Sequence, residues 1–243
     1  MECKRLLSRS LQIWREQGDY FWAADALMRL SGTNRMMRLY EEGIQQAGEA
    51  SEIFVRLGEV VKQVGSLISL AGLLCEANQL SAAEEAGLRA LDLLPEKGEE
   101  YYVCGAHRVL GEIYQFKGET KKAIRHLEAA LGIASSLNMV YPLFWVNWSL
   151  ARLFFAQGKF DDAQAHLEHA KPHAADDPYL LARAMQQQAC LWYLQGRFED
   201  AESEALHALD AFEKLGAASG TEAVRQLLHQ IEAGRSWRSK PQS

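Results

Sequence analysis

Proline and cysteine are both rare in this sequence. Proline occurs 5 times and cysteine 4 times in 243 residues. Few helix breakers, together with abundant alanine, leucine and glutamate, favour an all-α fold over a β-sandwich, a β-barrel or a disordered chain. The cysteines are far apart and form no CxxC pair, which indicates buried, reduced thiols rather than a disulfide framework.

The sequence also lacks an excess of positive charge and a long apolar run. The net charge is -6, so general nucleic-acid binding is disfavoured, because phosphate contacts need a basic face. The most apolar stretch, residues 139–156, is interrupted by Pro142, Asn147, Ser149 and Arg152, and we interpret it as a buried helix. The N-terminal residues contain no secretory apolar segment. We therefore expect a cytoplasmic protein that does not enter a membrane.

One pattern recurs along the chain at a nearly constant interval. It is found in the segments NRMMRLYEEG, CEANQLSAAE, YQFKGETKKA, FFAQGKFDDA and YLQGRFEDA. Their aligned turn residues are Arg38, Asn78, Gly118, Gly158 and Gly196, at intervals of 40, 40, 40 and 38 residues. Glycine and asparagine suit a helix end that needs positive φ. Arg38 fits less well, so we expect the first turn to differ.

Small and large residues flank these turns in fixed register. The small ones are Gly111, Ala123, Ala151, Ala163, Ala189 and Ala201, and the large ones are Tyr114, Phe154, Phe160, Trp192 and Phe198. Small residues let two helices approach closely, and large ones fill the space beside them. The pattern predicts helical hairpins that must stack, since no single hairpin can bury its own apolar face.

The pattern resembles that of the tetratricopeptide repeat (TPR) family, W-x2-LG-x2-Y followed by A-x3-F, A and P. The third repeat matches best, with Leu110, Gly111 and Tyr114 before the turn and Ala123 after it. The resemblance covers roughly residues 24–216. It implies a right-handed α-solenoid of helix-turn-helix repeats. The 40-residue period exceeds the usual 34 and is similar to kinesin light chains and to the TPR tails of P-loop NTPase signalling proteins.

We expect four regions along the chain. Residues 1–19 are a partial repeat with only the second helix, and residues 20–216 form five TPR-like hairpins. Residues 217–234 form a capping helix with Thr221 near its N-cap, and residues 235–243 form a disordered basic tail. The incomplete first repeat leads us to expect the C-terminal part of a longer protein.

The sequence contains no recognisable catalytic motif, so we expect no catalytic residue, no cofactor and no enzyme activity. His166, His169 and His173 share a helix face and could touch one metal ion. Pro172 disturbs that turn, however, and neither a cysteine nor a carboxylate completes the set. We interpret the three histidines as part of a solvated polar face and predict no metal site.

Arginine and aromatic residues in the first helices of repeats three to five are the candidate partner-binding residues, because such side chains commonly anchor interfaces. In TPRs these positions line the concave groove. They are Arg108, Glu112, Gln115, Trp145, Trp148, Arg152, Phe155, Arg183, Gln186 and Tyr193. In the alternative interpretation, Trp145 and Trp148 pack the seam between repeats three and four.

The favoured function is a non-enzymatic scaffold that binds a protein or peptide partner. A second hypothesis is a regulatory or sensor module that packs against a P-loop NTPase domain, motivated by the incomplete first repeat and the long period. A third, less favoured hypothesis is a helical array that binds nucleic acid. The acidic net charge of -6 opposes this third hypothesis.

Overall fold

The computed structural model describes residues 2–94 and 98–238, with side chains described as far as residue 235. These residues form twelve α-helices and one short 3-10 helix, with no strand among them. The helices are α1 (Glu2–Glu16), α2 (Tyr20–Met36), α3 (Tyr40–Leu57), α4 (Val60–Glu76), α5 (Leu80–Asp92), α6 (Glu100–Phe116), α7 (Thr120–Ser136), α8 (Val140–Ala156), α9 (Phe160–Ala170), α10 (Pro178–Leu194), α11 (Phe198–Lys214) and α12 (Ala218–Arg238). The predicted all-α fold of helical repeats is confirmed.

The chain forms two compact units, residues 1–142 and residues 143–243. In the first unit each of the helices α1 to α7 packs on the next, and the first helices α2, α4 and α6 also pack side by side. In the second unit α9, α10, α11 and α12 pack in the same successive manner. Helix α8 begins just before the boundary and lies mostly in the second unit. No helix in the described part of the chain is both long and apolar enough to cross a membrane.

Left-handed residues end most of the helices. Positive φ angles occur at Gly18, Arg38, Gly58, Asn78, Gly98, Gly118, Asn138, Gly158, Gly196 and Gly216. Arg38 has a φ of 59°, close to the 61° of Asn78, so the expectation that the first turn differs was wrong. Most turns between hairpins are as short as those within them, so the long period is taken up by helix and not by loops. Pro95, Glu96 and Lys97, between hairpins two and three, lie outside the described residues.

The fourth hairpin departs from this regularity. Its second helix, α9, ends at Ala170 and continues as a 3-10 helix, Lys171–Ala174, that contains Pro172. Proline cannot donate the backbone hydrogen bond that a longer α-helix would need. Asp177 then starts α10, because its side chain accepts hydrogen bonds from the backbone N–H groups of Tyr179 and Leu180. This irregular connection accounts for the one interval of 38 residues.

Close approach of the paired helices is clearest in the third hairpin. A Cβ atom on Gly111 of α6 would lie only 2.5 Å from Leu127 Cγ of α7 and 3.3 Å from the carbonyl oxygen of Ala123. Leu127 and Ala123 are fully buried. Gly111 therefore sits where the predicted small-residue position brings the two helices into contact.

The C-terminal helix differs from its predicted limits. Helix α12 begins at Ala218, so Thr221 lies inside its first turn and not at its N-cap. It continues to Arg238, although residues 235–243 were predicted to be disordered. Arg235 forms an ion pair with Glu202 at 2.6 Å, which ties this part of the helix to α11. Residues 239–243 of the predicted tail lie outside the described residues.

Candidate functional site

The ten candidate groove residues all lie on first helices of hairpins. Helix α6 carries Arg108, Glu112 and Gln115, helix α8 carries Trp145, Trp148, Arg152 and Phe155, and helix α10 carries Arg183, Gln186 and Tyr193. The first three belong to the first compact unit and the other seven to the second. The two groups are therefore considered separately.

Trp148 is a core residue. Only 7% of its surface is exposed, and it packs with Phe144, Leu167 and Leu180 in the cluster that joins hairpin four to α10. The described contacts place Trp148 in a seam with hairpin five, whereas the alternative interpretation expected a seam with hairpin three. Truncation of such a large buried ring costs about 3–5 kcal/mol. A Trp148→Ala variant would therefore test stability as much as binding.

Two arginines stack on the Trp148 ring. The guanidinium carbon of Arg152 lies 4.6 Å from the ring centroid, and that of Arg183 lies 5.0 Å from it. Arg183 also lies 5.9 Å from the ring centroid of Tyr179, and Trp145 meets Trp148 edge-on at 5.5 Å. Stacking on an aromatic face fixes a guanidinium while its N–H groups stay available to a carboxylate or phosphate. We call Trp148, Arg152, Arg183 and Tyr179 the Trp148 cluster.

The Trp148 cluster contains unsatisfied donors. Trp148 Nε1 and Arg183 Nε are buried, and neither has a hydrogen-bond partner among the described residues. Within the same part of the chain, no carboxylate lies within ion-pair distance of Arg183. A buried donor without an acceptor costs about 1–3 kcal/mol. The cluster is thus a positively charged place whose polar groups are incompletely matched by the protein itself.

The remaining predicted residues of the second unit serve packing to different degrees. Phe155 packs against Phe160 at 6.2 Å, near the hairpin turn. Tyr193 packs against Phe198 at 5.9 Å, and its ring lies 3.3 Å from the position of a Cβ on Gly234 of α12. Tyr193 therefore supports the contact with the C-terminal helix. Gln186 is half-buried one turn beyond Arg183.

In the first unit the charged residues of the first-helix face pair with one another. Arg108 binds Glu112 at 2.7 Å, one turn along α6, and Arg35 of α2 binds Glu76 of α4 at 2.6 Å. The guanidinium of Arg35 lies over Gly72, 3.1 Å from where a Cβ would be. Burial works against the charge of Arg35, but Glu76 and Glu112 outweigh it and raise the pKa of Arg35. This face is largely neutralised internally, so Arg108 is a weaker candidate for binding an acidic group than Arg183.

The three candidate metal-binding histidines have different surroundings. His166 is half-buried, donates from Nδ1 to Asn147 Oδ1 at 3.0 Å and stacks on Phe154 at 5.4 Å. Burial lowers the pKa of His166. The interpretation of His166 as part of a solvated face was therefore wrong. His173 lies on the 3-10 helix. The described residues contain no group of three or more potential ligands arranged to hold a metal ion.

A polar bridge between paired helices was missed by sequence reasoning. His107 of α6 and His126 of α7 contact each other through Nδ1 atoms 3.0 Å apart. Asn147 and His166 occupy the positions 40 residues further on and form the same kind of bridge. The repeat period itself was the signal that could have found both pairs, because each joins residues 19 positions apart.

Comparison with known proteins gives the same fold. A tetratricopeptide repeat model matches residues 142–214. A Rap protein crystallised with competence and sporulation factor is similar, with a TM-score of 0.60 and 16% identity, covering 92% of this chain and 73% of that one. A thermophilic TPR protein of Thermus thermophilus gives a TM-score of 0.62 and 20% identity, covering 84% of this chain and 100% of that one.

Repeats from Podosopora anserina described as kinesin light chain TPR-like repeats give a TM-score of 0.51 and 14% identity, covering 79% of this chain and 95% of that one. No curated protein matches the chain in sequence. The long-period TPR resemblance is thus supported by both the repeat model and the solved structures. The chain has a TPR fold, and its residues 142–214 belong to the tetratricopeptide repeat family.

Proposed function

We propose that this protein is a non-enzymatic interaction scaffold that binds an acidic peptide or helix on the face formed by α8 and α10. In TPR arrays the first helices line the concave groove, which suits an extended or helical ligand. The observation that carries the proposal is the Trp148 cluster. There Arg183 is held in place by stacking at 5.0 Å and has no carboxylate partner among the described residues.

Two further observations bear on the partner and on the cell compartment. One structural neighbour, a Rap protein, was crystallised with competence and sporulation factor. In this chain, burial raises the pKa of the Cys104 thiol to about 11, and the thiol donates to the carbonyl oxygen of Ala130. A thiol of this kind is unreactive and suits the reducing environment of the cytoplasm. We propose that the protein works there and that its partner is a protein or peptide, not a nucleic acid or a membrane.

The proposal is tested by selecting peptides from a random display library with the full chain as bait. Peptides that bind should be enriched in Asp and Glu, and their affinity should fall with added salt. Arg183→Gln should weaken the best peptide by about tenfold, which corresponds to about 1.4 kcal/mol. Trp148→Phe keeps the aromatic face for stacking but removes the indole N–H, so it should weaken binding less.

Arg197 provides a matched control. It also stacks on a tryptophan, lying 4.8 Å from the Trp192 ring centroid, but it starts the second helix α11 and is paired with Asp200 at 2.7 Å. Arg197→Gln should leave the affinity of the selected peptide within about twofold of the unaltered protein. Selected peptides without acidic residues, or a larger loss from Arg197→Gln than from Arg183→Gln, would contradict the proposal.

A further inference from the structure

A second surface lies apart from the Trp148 cluster, at one edge of the first compact unit. Six large apolar residues in the first turns of α2, α4, α6 and α8 are between 44% and 60% exposed. They are Tyr20, Trp22, Val60, Tyr101, Val140 and Tyr141. Soluble proteins rarely expose contiguous apolar patches of this kind without a partner.

The fold brings these residues to one edge. Helices α2, α4 and α6 run in the same direction and pack side by side, because each is separated from the next by one antiparallel helix and two connections. Their first turns therefore lie at the same end of the unit. Tyr141 lies close enough to Tyr101 for the two hydroxyls to interact, and the Tyr102 ring reaches Gly65 of α4. The apolar residues thus form a row that crosses neighbouring helices.

Acidic residues accompany the apolar row. Asp19, Glu59 and Glu99 occupy the N-caps of α2, α4 and α6. Asp19 caps its helix through the N–H of Trp22, whereas the side chains of Glu59 and Glu99 make no such bond. None of the three carboxylates has an ion-pair partner within the described part of the chain. Carboxylates at a helix N-terminus favour the helix, but Glu59 and Glu99 remain available to an external cation.

The charges at this edge are unbalanced. Arg56 and Lys62 are the described cations nearest to it in sequence, and Lys62 is engaged with Asp25 at 3.2 Å. The opposite edge of the same unit, at the turns within hairpins, carries the cations Arg38 and Lys117. A partner suited to the acidic edge must therefore be both apolar and basic.

We propose that the acidic apolar edge, defined by Tyr20, Val60, Tyr101, Glu59 and Glu99, docks a basic amphipathic helix of a partner protein. Packed helices lie about 8–10 Å apart, and residues seven apart on a helix lie about 10.5 Å apart. An apolar stripe with that spacing would meet one first helix after another. Lysine or arginine beside the stripe would pair with the N-cap carboxylates.

The experiment uses the full chain and two labelled probe peptides of about three heptads. Both carry leucine on one face, and the other face carries lysine in the first probe and glutamate in the second. Fluorescence anisotropy should show at least about tenfold tighter binding of the leucine–lysine probe, and this preference should shrink at high salt. Equal binding of the two probes would overturn the proposal.

Variants locate the binding surface. Val60→Ser with Tyr101→Ser, and separately Glu59→Gln with Glu99→Gln, should each weaken the leucine–lysine probe by about fivefold or more. Phe116→Ser is the matched control, because Phe116 is also about half exposed but lies at the opposite edge. Loss of binding in the control alone, or unchanged binding in both edge variants, would overturn the proposal.

Two controls separate this surface from other possibilities. Arg183→Gln should leave the leucine–lysine probe bound, so failure of the edge and failure of the Trp148 cluster are distinguishable. Sedimentation equilibrium of the chain alone should show no self-association that depends on the edge. A dimer that the Val60→Ser, Tyr101→Ser variant dissolves would contradict the proposal, since the occupant would then be a second copy.

Discussion

Gly111→Ala is the sharpest test of the helix register in the third hairpin. The added methyl would lie 2.5 Å from Leu127 Cγ and 2.8 Å from Leu127 Cδ2, well inside the about 3.5–4.0 Å of a favourable carbon contact. Leu127 is fully buried and has little room to move, which places the overpacking near the upper end of the usual cost of about 1–3 kcal/mol. Replacing a helical glycine by alanine returns about 1 kcal/mol. We therefore expect a net loss of about 1–2 kcal/mol in the free energy of unfolding.

The matched control is Gly132→Ala in the adjacent helix α7. Gly132 is also helical, but it is exposed and nothing lies within 4 Å of the position of its missing Cβ. The same chemical change should therefore stabilise the protein by about 0.5–1 kcal/mol through helix propensity alone. Urea unfolding of both variants, followed by circular dichroism, measures the difference. A stabilising Gly111→Ala would refute the close contact between α6 and α7.

Three other predictions concern packing, turn geometry and pH. Ala163→Leu and Ala201→Leu should each lower the free energy of unfolding by about 1–3 kcal/mol in urea titrations, since both alanines are buried; harmless substitutions would show that the register is wrong. Arg38→Gly should raise it by about 0.5–1 kcal/mol, because φ of 59° strains an arginine; a loss in the melting temperature would contradict this. Burial lowers the pKa values of His107 and His126, so their contribution is present above about pH 6.5 and is lost as pH falls toward the folded values; urea titrations at several pH values should show His107→Gln reducing that acid sensitivity.

The repeat architecture could be predicted because it depends on local chemistry. Gly118, Gly158 and Gly196 mark left-handed turns that few other residues adopt, and their spacing revealed the period. Ala123 and Leu127 mark the close contact within a hairpin in the same way. These signals lie in the sequence itself and need no knowledge of distant contacts.

Arg38 shows where local chemistry fails. Its left-handed conformation is imposed by the helices on either side, which pack whether or not the turn residue is ideal. The start of α12 at Ala218 was missed for a related reason. Thr221 is a good N-cap residue, but Gly220 packs against Phe212 and so belongs within the helix.

The candidate site was only partly predictable. Helical periodicity places Trp148 and Arg183 on first helices, but it does not distinguish a groove wall from a buried seam. Trp148 proved to be buried, while Arg183 was held on its ring. The pairing of Arg108 with Glu112 was available from their spacing of four residues, which is typical of ion pairs within a helix.

The most direct test of the central claim is site-specific photo-crosslinking of a selected acidic peptide. A benzophenone side chain placed at Gln186, one turn beyond Arg183 on α10, should crosslink to the peptide. The same group placed at Leu206, an exposed position on the second helix α11, should not. Crosslinking at Leu206 without crosslinking at Gln186 would show that the partner binds the second-helix face and would contradict the account.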